Sequence, residues 1–146
     1  MKKNLTLIIV VSCLTSCGIS TQLYDWGGSL STTTTYENLT YRHYHQQSPE
    51  SICGLLCMYE EMINNPGGSR QVPPPGICAE YGYLLLKKEN ADIFAAHATE
   101  SQKKTFEFTD YASHFPEKGK KLLQMEIELY PESAKFITPL IDRLCK

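Results

Sequence analysis

Cys53-Gly54-Leu55-Leu56-Cys57 holds two thiols four residues apart, and His43 and His45 lie about one helix upstream. A spacing of four sets both thiols on one face of an α-helix. Two cysteines and two histidines would suit a tetrahedral zinc ion, though zinc-binding chains usually follow C-x₂₋₄-C with H-x₃₋₅-H downstream. Here the histidines come first, and the same helix face carries leucines that belong to a core. C-x-x-x-C also falls one residue away from the C-x-x-C redox motif, and no βαβ pattern surrounds it. The plainer role for Cys53, Cys57, Cys78 and Cys145 is as small buried residues or disulfide partners, with three pairings open to four cysteines. A Cys53–Cys57 bond inside one helix has poor geometry, so a bridge between helices, such as one involving Cys78, is the better candidate.

Other catalytic arrangements are weaker still. Thiol nucleophiles need a histidine base and an orienting group. His43, His45, His97 and His114 are scattered over polar segments, as surface histidines are, and no C-G-[SA]-C signature is present. Glu60-Glu61 and Glu126/Glu128 are the carboxylate pairs to weigh for acid/base work. Adjacent residues point to different sides of a helix, so Glu60 and Glu61 read as a solvated face. The expectation is a protein that is not an enzyme, with no catalytic residue, no metal and no cofactor.

The elements that would position these side chains are helical. Tyr36, Leu39 and Tyr44 recur at helical spacings. Ser48-Pro49-Glu50-Ser51 reads as an N-cap followed by proline at the first helical position. Ile52, Leu55, Leu56, Tyr59, Met62 and Ile63 then follow at i, i+3, i+4 and i+7, the mark of an amphipathic helix. "NNPGG" ends it, "SRQVPPPG" is a rigid connector, and a second helix from near Pro75 to Lys88 carries Ile77, Tyr81, Leu84 and Leu85. Helix, proline turn and helix predict an αα-hairpin. Residues 89–115 lack a clear period, and Phe106-Glu107-Phe108 alternates as a short strand would. Helical spacing resumes at Glu117 and runs to Tyr130-Pro131. A closing helix follows, with Pro139 inside it to kink or restart it. The fold class is all-α, with an irregular insertion near 89–115.

The start of the chain has a different character. Lys2 and Lys3 precede the apolar stretch Leu5–Val11, too short for the roughly 20 residues of a membrane-spanning helix and proportioned like a secretory h-region. It closes on Leu14-Thr15-Ser16-Cys17, which resembles the bacterial lipobox. That resemblance implies a signal peptide over 1–16 and a diacylglyceryl thioether plus an N-acyl chain on Cys17. Several acyl chains make membrane attachment effectively permanent. Gly18, rather than Asp, after the cysteine implies the outer membrane as the address, on its periplasmic face. Losing Lys2 and Lys3 with the leader leaves 12 basic against 16 acidic residues, a net charge near −4. A net-acidic chain without a basic block lacks the electrostatic term behind nucleic-acid binding.

Residues 17–35 then read as a lipidated tether, rich in Gly, Ser and Thr, ahead of a single α-helical domain over 36–146. The tether holds "LYDWGG", with the chain's one tryptophan. Tyr24, Trp26 and Tyr36 are candidates for partner contact, the alternative being that the arm folds back to cap the core.

Helix pairs of this length resemble a tetratricopeptide-type array, in which each pair buries its face on the next. "MEIELYPES" is similar to the close of such a repeat, with Pro131 at its terminal proline, and Leu123 and Gly119 at its large and small packing positions. Gly82 would be the glycine of the repeat's first helix. The separation of Gly82 and Gly119 exceeds the repeat's usual spacing by about 25 residues, matching the insertion. More closely, the order of lipobox, "LYDWGG" with Tyr36 behind it, "VPPPG" and "YPESAKF" resembles a family of bacterial outer-membrane lipoproteins, domain of unknown function 4810. Its members are commonly encoded beside a lipoprotein resembling the curli secretion channel. The resemblance implies a subunit of an envelope assembly, with other envelope lipoproteins as partners and no known catalytic residue.

Overall fold

Short polar residues open most of the helices, each by catching a backbone N–H that the first turn leaves without a partner. The computed structural model describes residues 22–30 and 32–144, so Cys17 and Cys145 lie outside it. Two short strands come first, β1 (Ser29–Leu30) and β2 (Thr33–Thr34), paired antiparallel. Thr34 then caps α1 (Thr35–Gln46) in a reciprocal box: its hydroxyl accepts from the Glu37 N–H at 3.1 Å, and the Glu37 carboxylate accepts from the Thr34 N–H at 2.8 Å. Ser48 caps α2 (Pro49–Asn64), as its pairing with Pro49 predicts. Next come α3 (Ile77–Leu86) and α4 (Lys88–His97). Thr99 and Gln102 form a second box over the single turn α5 (Glu100–Lys103). Asp110 caps α6 (Tyr111–Leu129), and a 3-10 turn (Pro131–Ser133) leads into α7 (Ala134–Leu144). The fold is all-α, as the periodicity predicts.

The closest packing joins α3 and α6. Gly82 and Gly119 sit back to back there: a Cβ on either would lie 2.8 Å from the other's carbonyl oxygen. Only glycine leaves the two backbones room to approach so far. Around that crossing lie Ile77, Tyr81, Leu85 and Leu123, all without measurable exposure. α2 packs between α1 and α4 and also leans on α3, while α7 lies against α6. The expected α2–α3 hairpin therefore makes contact, but the long face of α3 meets a helix more than thirty residues further along the chain.

Residues 89–115 are more regular than their sequence suggests. Most of them fold as α4, α5 and the first turn of α6, and the irregular part is 104–110. Phe106-Glu107-Phe108 forms no strand. Instead Phe106 joins Phe94, Phe108, Tyr111 and Phe115 in an aromatic knot, with the Phe94 and Phe106 ring centroids 4.8 Å apart. The alternation of two phenylalanines reflects rings entering one cluster, not a pleat. α6 begins at Tyr111, six residues before the periodicity resumes, and accommodates Pro116 near its start. α7 likewise runs through Pro139 without restarting.

Candidate functional site

The described part of the expected tether lies against the helical body. Ser69 and Arg70 donate backbone hydrogen bonds to the carbonyls of Gln22 and Leu23, at 2.9 and 3.1 Å. Gly68 permits this approach, because a Cβ there would meet the Leu23 carbonyl oxygen at 2.6 Å and its φ is +76°. Tyr24 accepts from the Arg70 guanidinium at 2.6 Å and meets Tyr130 edge to face. The Trp26 ring lies 5.2 Å from that of Tyr36, and its carbonyl accepts from the Tyr36 N–H. All three aromatic candidates are thus engaged within the chain and half-buried.

From Trp26 an aromatic row runs inward through Tyr36, Tyr59 and Tyr81, with Tyr59 and Tyr81 stacked at 5.5 Å. Two carboxylates tie the row together. Glu80 accepts from the hydroxyls of Tyr36 at 3.0 Å and Tyr59 at 2.6 Å. Burial and the Glu80 charge push the Tyr36 hydroxyl up to about 12, and Tyr59 is raised further by the same causes. Glu60 accepts from the Tyr81 hydroxyl at 2.5 Å, from Asn64 at 3.1 Å and from the Lys118 ammonium. Glu60 is 4 % exposed, so the solvated face expected for Glu60-Glu61 holds for Glu61 alone. A buried carboxylate persists where a cation and hydroxyl donors replace its water. The missed signal was positional: Glu60 stands four residues after Leu56, on the apolar stripe of α2.

Glu126 stands in the same kind of place, three and four residues after Leu123 and Leu122 on the apolar stripe of α6. It reaches the start of α3, where Gly76 has no side chain to cap with. Its two oxygens accept from the N–H groups of Gly76 at 2.8 Å and Ala79 at 3.3 Å. A helix N-terminus attracts a carboxylate. Burial still outweighs those bonds and holds the Glu126 carboxyl above its usual range.

His43, His45, Cys53 and Cys57 do not converge as a metal site would. Cys53 is fully buried, Cys57 half-buried with its Sγ 3.7 Å from the Gln102 carbonyl, and His45 stacks on Tyr41 at the exposed side of α1. Among the described residues no three His, Cys, Asp or Glu side chains converge as metal ligands would. Cys53, Cys57 and Cys78 are all free thiols. Burial raises all three, Cys57 to about 11 and Cys78 to about 12, which disfavours the thiolate form.

His43 has a different setting. Its Nδ1 is 2.9 Å from the Ser51 hydroxyl oxygen, which is itself 2.7 Å from the Ser48 carbonyl. Two oxygens that close need the hydroxyl proton between them. Ser51 therefore donates to the Ser48 carbonyl and accepts from Nδ1–H. Nε2 is left as the acceptor. Burial first and Lys87 second lower the His43 pKa, favouring the neutral ring.

His43 lines a groove of about 710 Å³ between α1, α2, α3 and α4. Ile52, Leu55, Leu84 and Ile93 give it an apolar floor, and Tyr44 and Tyr83 stand at its walls. Tyr44, at the wall, and Tyr41, outside the groove, are 81 % and 72 % exposed, and no residue of α1 is fully buried. The fold and site define an all-α chain with a mixed apolar and polar groove. No protein-family model, no curated protein and no solved structure matches this chain.

Proposed function

We propose that this chain is a lipid-anchored scaffold, or accessory subunit, at the periplasmic face of the outer membrane, which acts by binding other envelope proteins. The observation that carries the reading is the outer face of α1. It offers Tyr41 and Tyr44 to solvent beside a groove with an apolar floor. Exposed aromatic side chains clustered at a concave surface are the usual anchors of protein interfaces. The lipobox resemblance supports the location. Gln22, whose carbonyl accepts from the Ser69 N–H, follows Cys17 by five residues in the sequence. The Gly82–Gly119 crossing supports a tetratricopeptide-like helix pair made of α3 and α6, with α4 and α5 as its insertion. The resemblance to the family encoded beside curli-channel-like lipoproteins makes such a lipoprotein the expected partner.

The test is an affinity pull-down from solubilised outer membrane with the native anchor intact, read by mass spectrometry. Recovery of a channel-like lipoprotein in fixed ratio, released by the Tyr41→Ala/Tyr44→Ala double variant, supports the reading. An empty pull-down, or one that the double variant leaves intact, counts against it.

A further inference from the structure

Two polar groups at the α1–α4 groove are fixed as acceptors by a bond on their other side. His43 presents Nε2 because Nδ1–H is held by Ser51. The Asn90 amide nitrogen donates to the Leu84 carbonyl at 2.7 Å, which turns Oδ1 to be the group left over. Glu80 and Glu89 add two carboxylates to the lining. Lys87 is the only lysine or arginine among the lining residues, and its ammonium sits 4.9 Å from the Tyr83 ring centroid, at the wall. The complement of such a site is a planar, donor-only cation that can also lie on an aromatic face. Arginine has five N–H donors, no acceptor, and a guanidinium that stacks on tyrosine.

We propose that this groove receives an arginine side chain from a partner protein, carried on a short segment whose apolar neighbours rest on Leu84 and Ile93. The inference rests on the reading of the chain as a protein-binding subunit and names the chemistry of what it binds. Charge complementarity selects the occupant: an acidic segment would meet Glu80 and Glu89, and a purely apolar one would leave the two fixed acceptors, His43 Nε2 and Asn90 Oδ1, without donors.

The probe is the peptide acetyl-Leu-Arg-Leu-amide, titrated by calorimetry into the purified lipidated chain in nanodiscs, with empty nanodiscs as the blank. Its partner is the same peptide with citrulline, which keeps the shape and removes the charge. Saturable binding of the arginine peptide, weakened about tenfold or more by citrulline, is expected. Glu80 also holds two tyrosine hydroxyls, so Glu80→Gln could loosen the fold; Glu89, exposed at the start of α4, is the safer variant. Glu89→Gln is expected to weaken binding severalfold and Lys87→Gln to strengthen it. Equal binding of both peptides overturns the proposal, and so does a loss on Lys87→Gln, which would mark an anionic occupant. Should the arginine peptide fail while the native pull-down still yields a partner, the assembly reading stands and the arginine assignment falls. Should the peptide bind as described while the pull-down stays empty, the groove assignment stands and the assembly reading falls.

Discussion

Burial ordinarily keeps carboxylates out of a core, yet Glu126 is 2 % exposed because the start of α3 has no cap of its own. Its carboxyl titrates above the ordinary range in the folded chain. A raised carboxyl contributes stability that is full below the unfolded pKa and declines as pH rises through the folded one. The stability of the native chain relative to Glu126→Gln is therefore expected to fall from about pH 4.5 upward, until the folded group is ionised. Urea titrations of both proteins at several pH values would read that slope, and a flat or rising difference would refute it. Glu126→Ala, which leaves the Gly76 and Ala79 N–H groups bare, is expected to cost about 1–3 kcal/mol. The three described thiols give a second outcome at this scale. With Cys53 and Cys78 fully buried and all three raised, a thiol-specific reagent such as Ellman's is expected to label them only on unfolding. Fast labelling of native Cys53 or Cys78 would show that the core opens. What the sequence concealed here was partnership. Glu60 and Glu126 lie on apolar stripes, but Tyr81, Lys118 and the start of α3 come from elsewhere in the chain, and no local pattern announces them.

At the scale of elements, legibility follows how much of each helix's burial is periodic. α2 was readable from both ends, because Ser48-Pro49 caps it and its buried residues Ile52, Leu55, Leu56, Tyr59 and Met62 keep helical spacing. α4 was not, because it buries only Asn90, Ala91 and Phe94 and opens at Lys88 with no side-chain cap. The phenylalanines at 106 and 108 alternate in the sequence, although their burial comes from ring packing in a segment without regular backbone. Gly82 and Gly119 were recognisable as packing positions, and the structure sets them face to face. Their exchange is the sharpest element-level test. Gly82→Ala or Gly119→Ala is expected to force α3 and α6 apart and cost about 1–3 kcal/mol each by overpacking. Once one methyl has opened the crossing, the second should cost less, so the double variant is expected to fall short of the sum. Additive losses in urea titrations would mean that the two backbones yield independently.

The whole molecule separates surfaces that hold the chain together from surfaces left for something else. Trp26 belongs to the first kind: its ring lies on Tyr36, and its carbonyl fixes the start of α1 through the Tyr36 N–H. Beyond Tyr36 the same row reaches Glu80 and the core residue Tyr59. Trp26→Ala should therefore loosen the arm and lower the thermal midpoint by roughly 5–10 °C. Tyr41 and Tyr44 belong to the second kind, since truncating side chains so exposed removes little packing. Tyr41→Ala/Tyr44→Ala is expected to leave the midpoint within about 2 °C while releasing the partner from the native pull-down. The comparison distinguishes the two arrangements weighed for the arm. A Trp26 variant that melts normally but loses the partner would make the arm a docking element, with its contact to Tyr36 replaced in the complex. A Trp26 variant that melts early and still binds at low temperature would make the arm a brace, and leave α1 and its groove as the binding face.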